Sequence, residues 1–581
     1  MGRQWEERER RNNSQPEQNR ISKRMVFRRT VILMLICGVG FFIPLAVQLW
    51  NISIRDHNFY QQKAAEQQLM DVAVAAHRGD ILDANGEVMA MSATVYNLIL
   101  APKDLINSVD KDDFEDEDGK LDQSAYQAEI QRKRDEVADG LCAVRPDLDR
   151  ADLERRLEKE NSQYEVLLTN VEEGEAEAIR AFIEEHKTAY YLYLTPSTKR
   201  YYPFSALASQ VLGFVNTEGG VYGLEAGYED VLKGIPGRVV TGKTAKNVEM
   251  YNSYSNYIDA VNGYDLTLTL DSAIQSYCES ILKKGIEQFE VQDGGFCIAM
   301  DPNTGEILAW ANSPTYDLNN PRVVSDPVLN QYLADIESGA YTKEEAYQKA
   351  LAEGASSEEA RDKAISAAET EVLYTQWTNK AITSTYEPGS TFKSIVLAAA
   401  LEEGVVTENS HFYCPGYIMV EGWSRPISCS KKAPGHGDQD LALAVANSCN
   451  PAFVTMGLKI GTEAYYRYLK SFGLMETTGI DLPAEAEGIF ANEDSFNSNV
   501  VSLAAYSFGQ TFNVTPLELI RAQAATINGG YLYTPYLVEQ VLDDEGNILS
   551  QHETTAVRQV ISEETSAKVR ECLEWVVSDG G

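Results

Sequence analysis

Basic residues are scarce in this chain of 581 residues. Lys and Arg together number 50 against 87 Asp and Glu, which gives a formal net charge of −37 at pH 7. A protein that binds nucleic acid needs a basic face, so this balance argues against a nucleic-acid partner. The sequence also lacks C-x-x-C and H-E-x-x-H spacing. These are common arrangements of metal ligands and redox thiols, and we therefore predict no metal site and no cofactor.

Long apolar runs are equally rare, with one exception near the N-terminus. No charged residue occurs from 30 to 54, and about 20 mostly apolar positions there make roughly 30 Å of helix, enough to span a bilayer once. The cations on the N-terminal side of the run predict that this end stays in the cytoplasm: Arg20, Lys23, Arg24, Arg28 and Arg29. A cleaved signal peptide is the alternative, but the run is long and no small-x-small cleavage site directly follows it.

The topology that follows is a cytoplasmic tail at 1–29, a transmembrane anchor at 30–52 and an exported remainder. About 530 residues lie outside the membrane, enough for at least two domains with full cores. We therefore expect a single-pass protein of the cell membrane with its N-terminus in the cytoplasm.

Residues 237–244 match the phosphate-binding pattern G-x-x-x-x-G-K-[ST]. A true phosphate loop needs a buried strand before it and a helix after it. Here a Gly-Ile-Pro segment precedes the match and the polar, aperiodic segment 246–252 follows it. We interpret the match as accidental and predict no nucleotide binding.

A serine and a lysine lie three residues apart where a turn opens into an apolar helix. Pro388 and Gly389 supply the turn, and the run 395–400 predicts the helix, so Ser390 and Lys393 should share one helix face. A desolvated lysine can lose its proton and then activate a serine nucleophile, and the positive end of the helix favours negative charge at Ser390. Alone the S-x-x-K spacing is weak evidence, because a capping serine and a solvated lysine produce it too.

A second motif strengthens this interpretation. Ser448 and Asn450 stand two residues apart, directly after the apolar run 441–446. The Ser448 hydroxyl can relay a proton between Lys393 and a leaving group, and the Asn450 carboxamide can hold Lys393 and donate to a substrate amide. Structural caps would explain either residue singly.

Both motifs, in this order, resemble those of the class B penicillin-binding proteins, whose signature is S-x-x-K, then S-x-N or S-D-N, then K-T-G. The resemblance extends from about residue 70 to residue 581. Segments 78–86, 200–203, 211–214, 223–225 and 228–234 resemble the pedestal of that family, and segments 301–309, 508–510, 514–516 and 528–530 resemble its transpeptidase domain.

The third motif, K-T-G, does not occur between Ser448 and Gly581. In the family it lies on a strand that forms one wall of the cleft, and that strand completes an oxyanion hole with the backbone N–H of Ser390. Residues 243–245 cannot replace it, since the third residue is alanine and the segment precedes Ser390. We therefore expect a chain truncated just before that strand, with poor β-lactam binding and little turnover as it stands.

The resemblance implies an α/β (α+β) fold. After the single N-terminal transmembrane helix we expect a mixed pedestal (dimerisation-type) domain at 53–260. A penicillin-binding transpeptidase domain should follow at 261–581, with helices on both faces of an antiparallel sheet, incomplete at its C-terminus.

The resemblance also implies a function, that of a serine D,D-transpeptidase that cross-links peptidoglycan stem peptides. Ser390 would attack the D-Ala-D-Ala carbonyl, with Lys393 as base, Ser448 as proton relay and Asn450 as substrate anchor. β-Lactams would acylate Ser390. The expected partners are the stem peptides, β-lactams, the membrane and a polytopic glycan polymerase.

Two other functions remain open. A β-lactam sensor would need a cytoplasmic effector or protease domain, for which residues 1–29 offer no room. The absent K-T-G motif permits a non-catalytic scaffold, while the two intact motifs count against it. Roles in division, elongation and spore cortex are all compatible with the sequence, and the pair Cys414 and Cys429 favours the last.

Two cysteines, Cys414 and Cys429, flank a turn-rich segment on the exported side of the predicted anchor. A disulfide between them would stabilise the loop by about 3 kcal/mol, and two ordinary thiols are the alternative. A cysteine pair at this place resembles the sporulation-specific, stage V group of the family, where it couples activity to thiol redox state. We expect Cys449 to be a packing residue.

Local patterns predict several further elements. Segment 71–76 alternates like a strand, and 296–300 with 306–310 predicts a hairpin. Strand 265–270 should lead into a helix capped by Asp271 or Ser272, with one apolar face formed by Ile274, Cys278, Ile281 and Gly285. The segment 344–371, rich in Ala and Glu, predicts an exposed helical insertion, and the acidic stretch 110–118 a solvated loop.

Overall fold

The computed structural model describes residues 23–36, 38, 50, 69–74, 76–116, 119–242 and 256–578. These residues form two compact units. One contains the described parts of Met1–Val74 with Gly237–Asp259, and the other contains those of Ala75–Pro236 with Ala260–Gly581.

The first unit contains a three-stranded antiparallel sheet. Strand Gly237–Gly242 lies between Leu69–Val74 and Asn256–Ile258 and pairs with both. The strand predicted at 71–76 is therefore confirmed, with its bounds shifted toward the N-terminus. Most of the phosphate-loop match lies in the central strand, while Lys243 and Thr244 lie outside the described residues. An extended strand paired on both sides has no loop that would wrap a phosphate.

Residues 23–36 are helical. Most of the predicted transmembrane anchor, namely 37, 39–49 and 51–52, lies outside the described residues. Among the helices that the structure does describe, none has both the length and the apolar character that a bilayer span requires.

The second unit is built around a seven-stranded sheet. Its strands run in the order Ile548–Gln551, Val538–Leu542, Asp265–Leu268, Ile81–Leu82, Val88–Leu100 and Glu165–Val171, and Leu192–Tyr201 also pairs with Val88–Leu100. Asp265–Leu268 runs parallel to Ile81–Leu82, and the other pairs are antiparallel.

This sheet differs from the antiparallel sheet expected within 261–581. The strand Asp265–Leu268 does form, but it pairs with strands from both halves of the chain because Leu266 and Ile81 share one buried core. The described part of 261–581 therefore contributes strands to a mixed sheet. The hairpin predicted at 296–300 and 306–310 is confirmed as Gly295–Met300 with Ile307–Ser313, which forms a separate two-stranded antiparallel sheet.

The remaining strands of this unit form short antiparallel pairs. They are Val215–Asn216 with Gly219–Gly220, His411–Cys414 with Gly437–Asp440, Tyr417–Ile418 with Ile427–Ser428, and Tyr531–Leu532 with Arg558–Gln559.

Helices surround these strands. In the first half they are Pro102–Asn107, Gln123–Val144, Arg150–Leu157, Glu173–His186, Ser209–Leu212, Gly223–Gly227 and Glu229–Leu232, with a 3-10 turn at Asp112–Phe114 inside the predicted loop 110–118. In the second half they are Ser272–Phe289, Pro327–Ser338, Glu345–Ala352, Ser357–Trp377, Lys380–Thr383, Lys393–Glu402, Leu441–Ala446, Asn450–Ile460, Thr462–Ser471, Glu493–Asn497, Val500–Tyr506, Pro516–Ile527 and Glu563–Val577, with 3-10 turns at Ala340–Lys343 and Gly389–Phe392.

The predicted insertion at 344–371 is helical, as expected. It forms Glu345–Ala352 and Ser357–Trp377, and the second helix begins with a capping box between Ser356 and Glu359. Its buried side chains are few and mostly alanine, so the two helices present their acidic residues to solvent.

The helix Ser272–Phe289 is capped by Asp271, whose carboxylate accepts from two backbone N–H groups. Its predicted apolar face is not buried, since Ile274 and Ile281 are 39% and 48% exposed. Gln275 is buried instead. Its Nε2 donates to the backbone carbonyl of Trp310, and its Oε1 accepts from the backbone N–H of the same residue. This pair of hydrogen bonds to the neighbouring strand decides which side of the helix faces the protein.

A buried ion-pair network joins segments that are distant along the chain. Glu225 is fully buried, and its carboxylate accepts from Arg78 at 2.5 Å and from Arg200 at 2.7 Å. Arg78 also pairs with Glu229 at 2.6 Å. Two arginine cations thus share the buried carboxylate of Glu225. The arrangement is tolerated because each of the three charged groups is hydrogen-bonded.

Candidate active site

The turn that carries Ser390 is held from two sides. Gly389 adopts a left-handed φ of 57°, and its N–H donates to the carbonyl of Gly509 at 2.8 Å. Gly509 packs so closely that a Cβ on it would lie 1.9 Å from the carbonyl oxygen of Gly389, so no other residue fits there. Ser390 itself is exposed, at the start of the helix Lys393–Glu402.

That helix is buried nearly all round. Every residue from Ile395 to Leu401 is buried, which is typical of a helix inside a core rather than on a surface. The backbone under Lys393 therefore has little freedom, and the first turn presents Ser390 and Lys393 in a fixed relation.

Lys393 makes the central contacts of the site. It is 4% exposed, and its Nζ lies 3.0 Å from the Oγ of Ser390 and 2.9 Å from the Oγ of Ser448. Two further oxygens approach the same nitrogen, the carbonyl of Ser448 at 2.9 Å and the Oδ1 of Asn450 at 2.7 Å. The structure thus brings together all four residues that the two motifs indicated.

The partners of Lys393 carry no formal negative charge. Burial lowers the pKa of Lys393 to about 8, while the neighbouring thiols of Cys429 and Cys449 act in the opposite direction when ionised. A neutral amine has one lone pair, so it can accept the proton of one hydroxyl while it donates to other oxygens. Lys393 is therefore placed to act as a base near neutral pH.

The second motif occupies a tight turn between two helices. Leu441–Ala446 ends before Ser448, which has a left-handed φ of 47°, and Asn450 begins the next helix with Pro451 in its first turn. The Nδ2 of Asn450 donates to the carbonyl of Ser428 at 2.9 Å. This second hydrogen bond fixes the amide so that its oxygen faces Lys393.

A cavity of about 620 Å³ opens beside these residues. Its walls include the polar side chains of Ser390, Lys393 and Ser448 and apolar ones from four helices: Val445, Phe453, Ile520, Ile527 and Leu573. A mostly apolar pocket with a few convergent polar groups is the usual form of a small-molecule site.

Comparison with known proteins agrees with this geometry. Residues 295–581 match the family model of the penicillin binding protein transpeptidase domain, and residues 73–268 match that of the penicillin-binding protein dimerisation domain. The chain belongs to the class B penicillin-binding proteins.

Relatives of this penicillin-binding protein cover nearly its whole length. The stage V sporulation protein D of Bacillus subtilis is 29% identical over 95% of this chain and 73% of its own. A protein of Neisseria gonorrhoeae named probable peptidoglycan D,D-transpeptidase PenA is 24% identical over 97% of this chain and 81% of its own. The crystal structure of penicillin binding protein 2X from Streptococcus thermophilus is similar in fold, with a TM-score of 0.60 at 20% identity over 87% of this chain and 66% of that one.

The mixed α/β transpeptidase fold with a dimerisation domain is thus established for this chain. The expected division at residue 260 stays a prediction, because the described residues on either side of it share one sheet and one core.

Sequence reasoning missed one group of residues beside the site. Cys414, Cys429, His436 and Cys449 converge so that their potential ligand atoms all lie within 4.8 Å of one another. All seven cysteines that the structure describes are free, including Cys414 and Cys429. The four residues come from separate segments, so no short spacing rule would have found them.

Proposed function

We propose that this chain is a membrane-anchored serine D,D-transpeptidase that cross-links peptidoglycan stem peptides through an acyl-enzyme. The observation that carries the proposal is the buried amine of Lys393, whose hydrogen bonds join the hydroxyls of Ser390 and Ser448. A non-catalytic scaffold would have no use for a desolvated lysine between two serines, so this contact favours the enzyme. Two relatives carry names that state this activity, the probable peptidoglycan D,D-transpeptidase PenA of Neisseria gonorrhoeae and the peptidoglycan D,D-transpeptidase FtsI of Buchnera aphidicola.

In the first half-reaction Ser390 is the nucleophile. Its Oγ attacks the carbonyl carbon of the D-Ala-D-Ala bond, and its proton passes to the neutral Nζ of Lys393, 3.0 Å away. Negative charge develops on the substrate carbonyl oxygen near the N-terminus of the helix Lys393–Glu402, whose dipole stabilises it. The result is a tetrahedral intermediate bonded to Ser390.

Collapse of that intermediate releases D-alanine. Ser448 lies 2.9 Å from Lys393, so it can give its own proton to the leaving amine and take one from the lysine. An ester on Ser390 remains. The amine of a second stem peptide then attacks this ester, its proton returns by the same route, and Ser390 recovers its own.

Asn450 has two roles in this scheme. Its Oδ1 holds Lys393 between the two hydroxyls. Its Nδ2 uses one N–H for the carbonyl of Ser428, and the second N–H can donate to a substrate amide. β-Lactams would enter the same cavity and acylate Ser390, because their strained amide resembles the peptide bond that the enzyme opens.

The cellular setting follows from the N-terminal sequence and the family. The uncharged run at 30–54 and the cations before it support a single-pass anchor with the domains outside the membrane. We include in this proposal the division of the chain into four segments, namely a tail at 1–29, an anchor at 30–52, a pedestal at 53–260 and a transpeptidase domain at 261–581. A polytopic glycan polymerase is the proposed partner that supplies the strands to be cross-linked.

Labelling with a fluorescent penicillin tests the proposal, and it is done on the protein with its K-T-G strand present, because the chain without that strand is expected to bind β-lactams poorly. We expect one covalent adduct, mapped by mass spectrometry to Ser390, and no adduct in Ser390→Ala. Ser394→Ala is the matched control, because Ser394 lies four residues further on, in the helix Lys393–Glu402, and its hydroxyl donates to the carbonyl of Thr391. Labelling that persists in Ser390→Ala would refute the assignment of the nucleophile, and transpeptidation measured with stem-peptide donors tests the substrate class.

A further inference from the structure

The cysteine and histidine cluster lies directly beside the second motif. Cys414 ends the strand His411–Cys414, Cys429 follows Ile427–Ser428, and His436 precedes Gly437–Asp440. Cys449 is the residue between Ser448 and Asn450. Four separate segments therefore deliver one sulfur or imidazole nitrogen each to the same point.

The distances within the cluster resemble the edges of a tetrahedron around a metal ion. Zinc–sulfur bonds of about 2.3 Å and zinc–nitrogen bonds of about 2.0 Å place two sulfurs about 3.8 Å apart and a sulfur and a nitrogen about 3.5 Å apart. The Sγ atoms of Cys429 and Cys449 are 4.0 Å apart, and the Sγ of Cys429 is 3.5 Å from the Nδ1 of His436. No ligand pair exceeds 4.8 Å.

Burial and packing hold the cluster in this form. Cys414 and Cys449 are fully buried and Cys429 is 4% exposed, so the three thiols are shielded from water. The loop that carries His436 is pressed against the loop after Cys414, since a Cβ on Gly435 would lie 2.1 Å from the carbonyl oxygen of Cys414. The two loops therefore fix the positions of two ligands relative to each other.

Polar groups that suit a thiolate sulfur lie beside the cluster. The Oγ of Ser430 is 3.9 Å from the sulfur of Cys429. Gln439 is buried, its oxygen accepts from Asn447, and its Nε2 has no acceptor among the described residues. The same amide lies beside the sulfur of Cys449, so a thiolate there would be the acceptor that it lacks.

A disulfide explains this arrangement less well than a metal. A disulfide bond between Cys414 and Cys429 would involve only two of the four groups. It would not account for the positions of Cys449 and His436, which converge on the same point. Three thiolates and one imidazole form a common set of ligands for a closed, structural zinc site.

We propose that Cys414, Cys429, His436 and Cys449 bind one Zn²⁺ ion in tetrahedral coordination. The ion stabilises the loops between His411 and Asp440 and ties them to the turn of Ser448. Because Cys449 lies between two residues of the second motif, the metal also positions the groups that contact Lys393. Loss of the ion should relax the left-handed turn at Ser448 and slow acylation of Ser390.

The metal content of the full-length protein is the direct test. Protein purified under reducing conditions without chelator should contain about one Zn²⁺ per chain by elemental analysis. Co²⁺ in its place should give the visible bands of a tetrahedral site and thiolate-to-metal charge transfer. In the wild-type protein, Zn²⁺ should also protect the three cysteines from alkylation and His436 from chemical modification, as measured by differential mass spectrometry. This measurement does not depend on the folding of any variant.

Variants identify the ligands. Cys429→Ser and His436→Ala should lose the ion, whereas Cys142→Ser, a cysteine in the helix Gln123–Val144 and outside the cluster, should keep it. Gln439→Leu should weaken Zn²⁺ affinity about 10–100-fold, as expected for a group that hydrogen-bonds a ligand.

Three results would overturn the proposal: protein that binds no Zn²⁺ even when it is supplied, metal that stays in both ligand variants, or a mapped Cys414–Cys429 disulfide in metal-free protein. None of them would affect the assignment of Ser390 as nucleophile, which penicillin labelling tests separately.

Discussion

The Nζ of Lys393 lies 2.7 Å from the Oδ1 of Asn450, the shortest of its four contacts. An amide oxygen accepts a hydrogen bond without the full negative charge of a carboxylate. Lys393 is thus held firmly and yet has no carboxylate counter-ion among the described residues, which is why burial can lower its pKa to about 8.

Asn450→Asp tests this relationship, because it changes charge with almost no change in shape. A carboxylate at this distance should raise the pKa of Lys393 by about 1–3 units and so lower acylation at pH 7 by tenfold or more. The rate of labelling with fluorescent penicillin, measured across pH, should show its midpoint shifted upward. Asn499→Asp is the control, since Asn499 is an exposed helix cap and aspartate caps a helix equally well. An unchanged midpoint would contradict the proposed role of Asn450.

The wild-type protein should show a matching pH dependence. Lys393 acts as a base only when neutral, so the acylation rate should rise with pH and level off above about 8. The groups that contact its amine are the two hydroxyls, the Ser448 carbonyl and the Asn450 amide. The thiols of Cys429 and Cys449 raise the pKa of Lys393 when they are ionised.

Lys393→Arg should flatten this profile and reduce acylation by about 10²–10⁴-fold, because a guanidinium stays protonated at every accessible pH. Lys459→Arg, at an exposed position of the helix Asn450–Ile460, should behave as wild type. Acylation by Lys393→Arg at the wild-type rate would exclude Lys393 as the base.

Local geometry explains why much of the site was predictable from the sequence. The contact between Ser390 and Lys393 follows from three-residue spacing on a helix, and the capping of Ser272–Phe289 by Asp271 follows from the preference of aspartate for that position. The approach of Ser448 and Asn450 to Lys393 does not follow from spacing, since they lie more than fifty residues away. It was expected only because the two motifs together resemble a known family.

Long-range contacts explain what the sequence did not reveal. The apolar residues Ile274 and Ile281 predicted the wrong buried face, because the hydrogen bonds of Gln275 to Trp310 turn that face outward. The mixed sheet arises from the two-residue strand Ile81–Leu82, too short to be recognised by its pattern. The cysteine cluster likewise depends on loops that meet only in the folded chain.

Substitutions at Ser448 can separate the backbone strain of its turn from the catalytic role of its hydroxyl. Its φ of 47° is sterically unfavourable for a residue with a side chain and sterically allowed for glycine. Ser448→Gly should therefore be more stable than Ser448→Ala by about 1 kcal/mol, while both lose the hydroxyl and acylate more slowly. Thermal unfolding and penicillin labelling of the two variants measure the two effects. Equal stability would show that the turn relaxes, and wild-type labelling in either variant would exclude the hydroxyl as a proton relay.

The ion-pair network at Glu225 predicts a large and position-specific loss of stability. Glu225 is fully buried between Arg78 and Arg200, so Glu225→Ala leaves two cations without their shared partner and should cost about 3–5 kcal/mol. Glu229 is the matched control, because it also pairs with Arg78 but its side chain is 28% exposed, and Glu229→Ala should cost about 1 kcal/mol or less. Denaturant unfolding of the protein measures both. An equal loss of stability in the two variants would contradict the prediction. It would mean that burial does not decide the strength of this network and that Arg78 and Arg200 form other hydrogen bonds when Glu225 is removed.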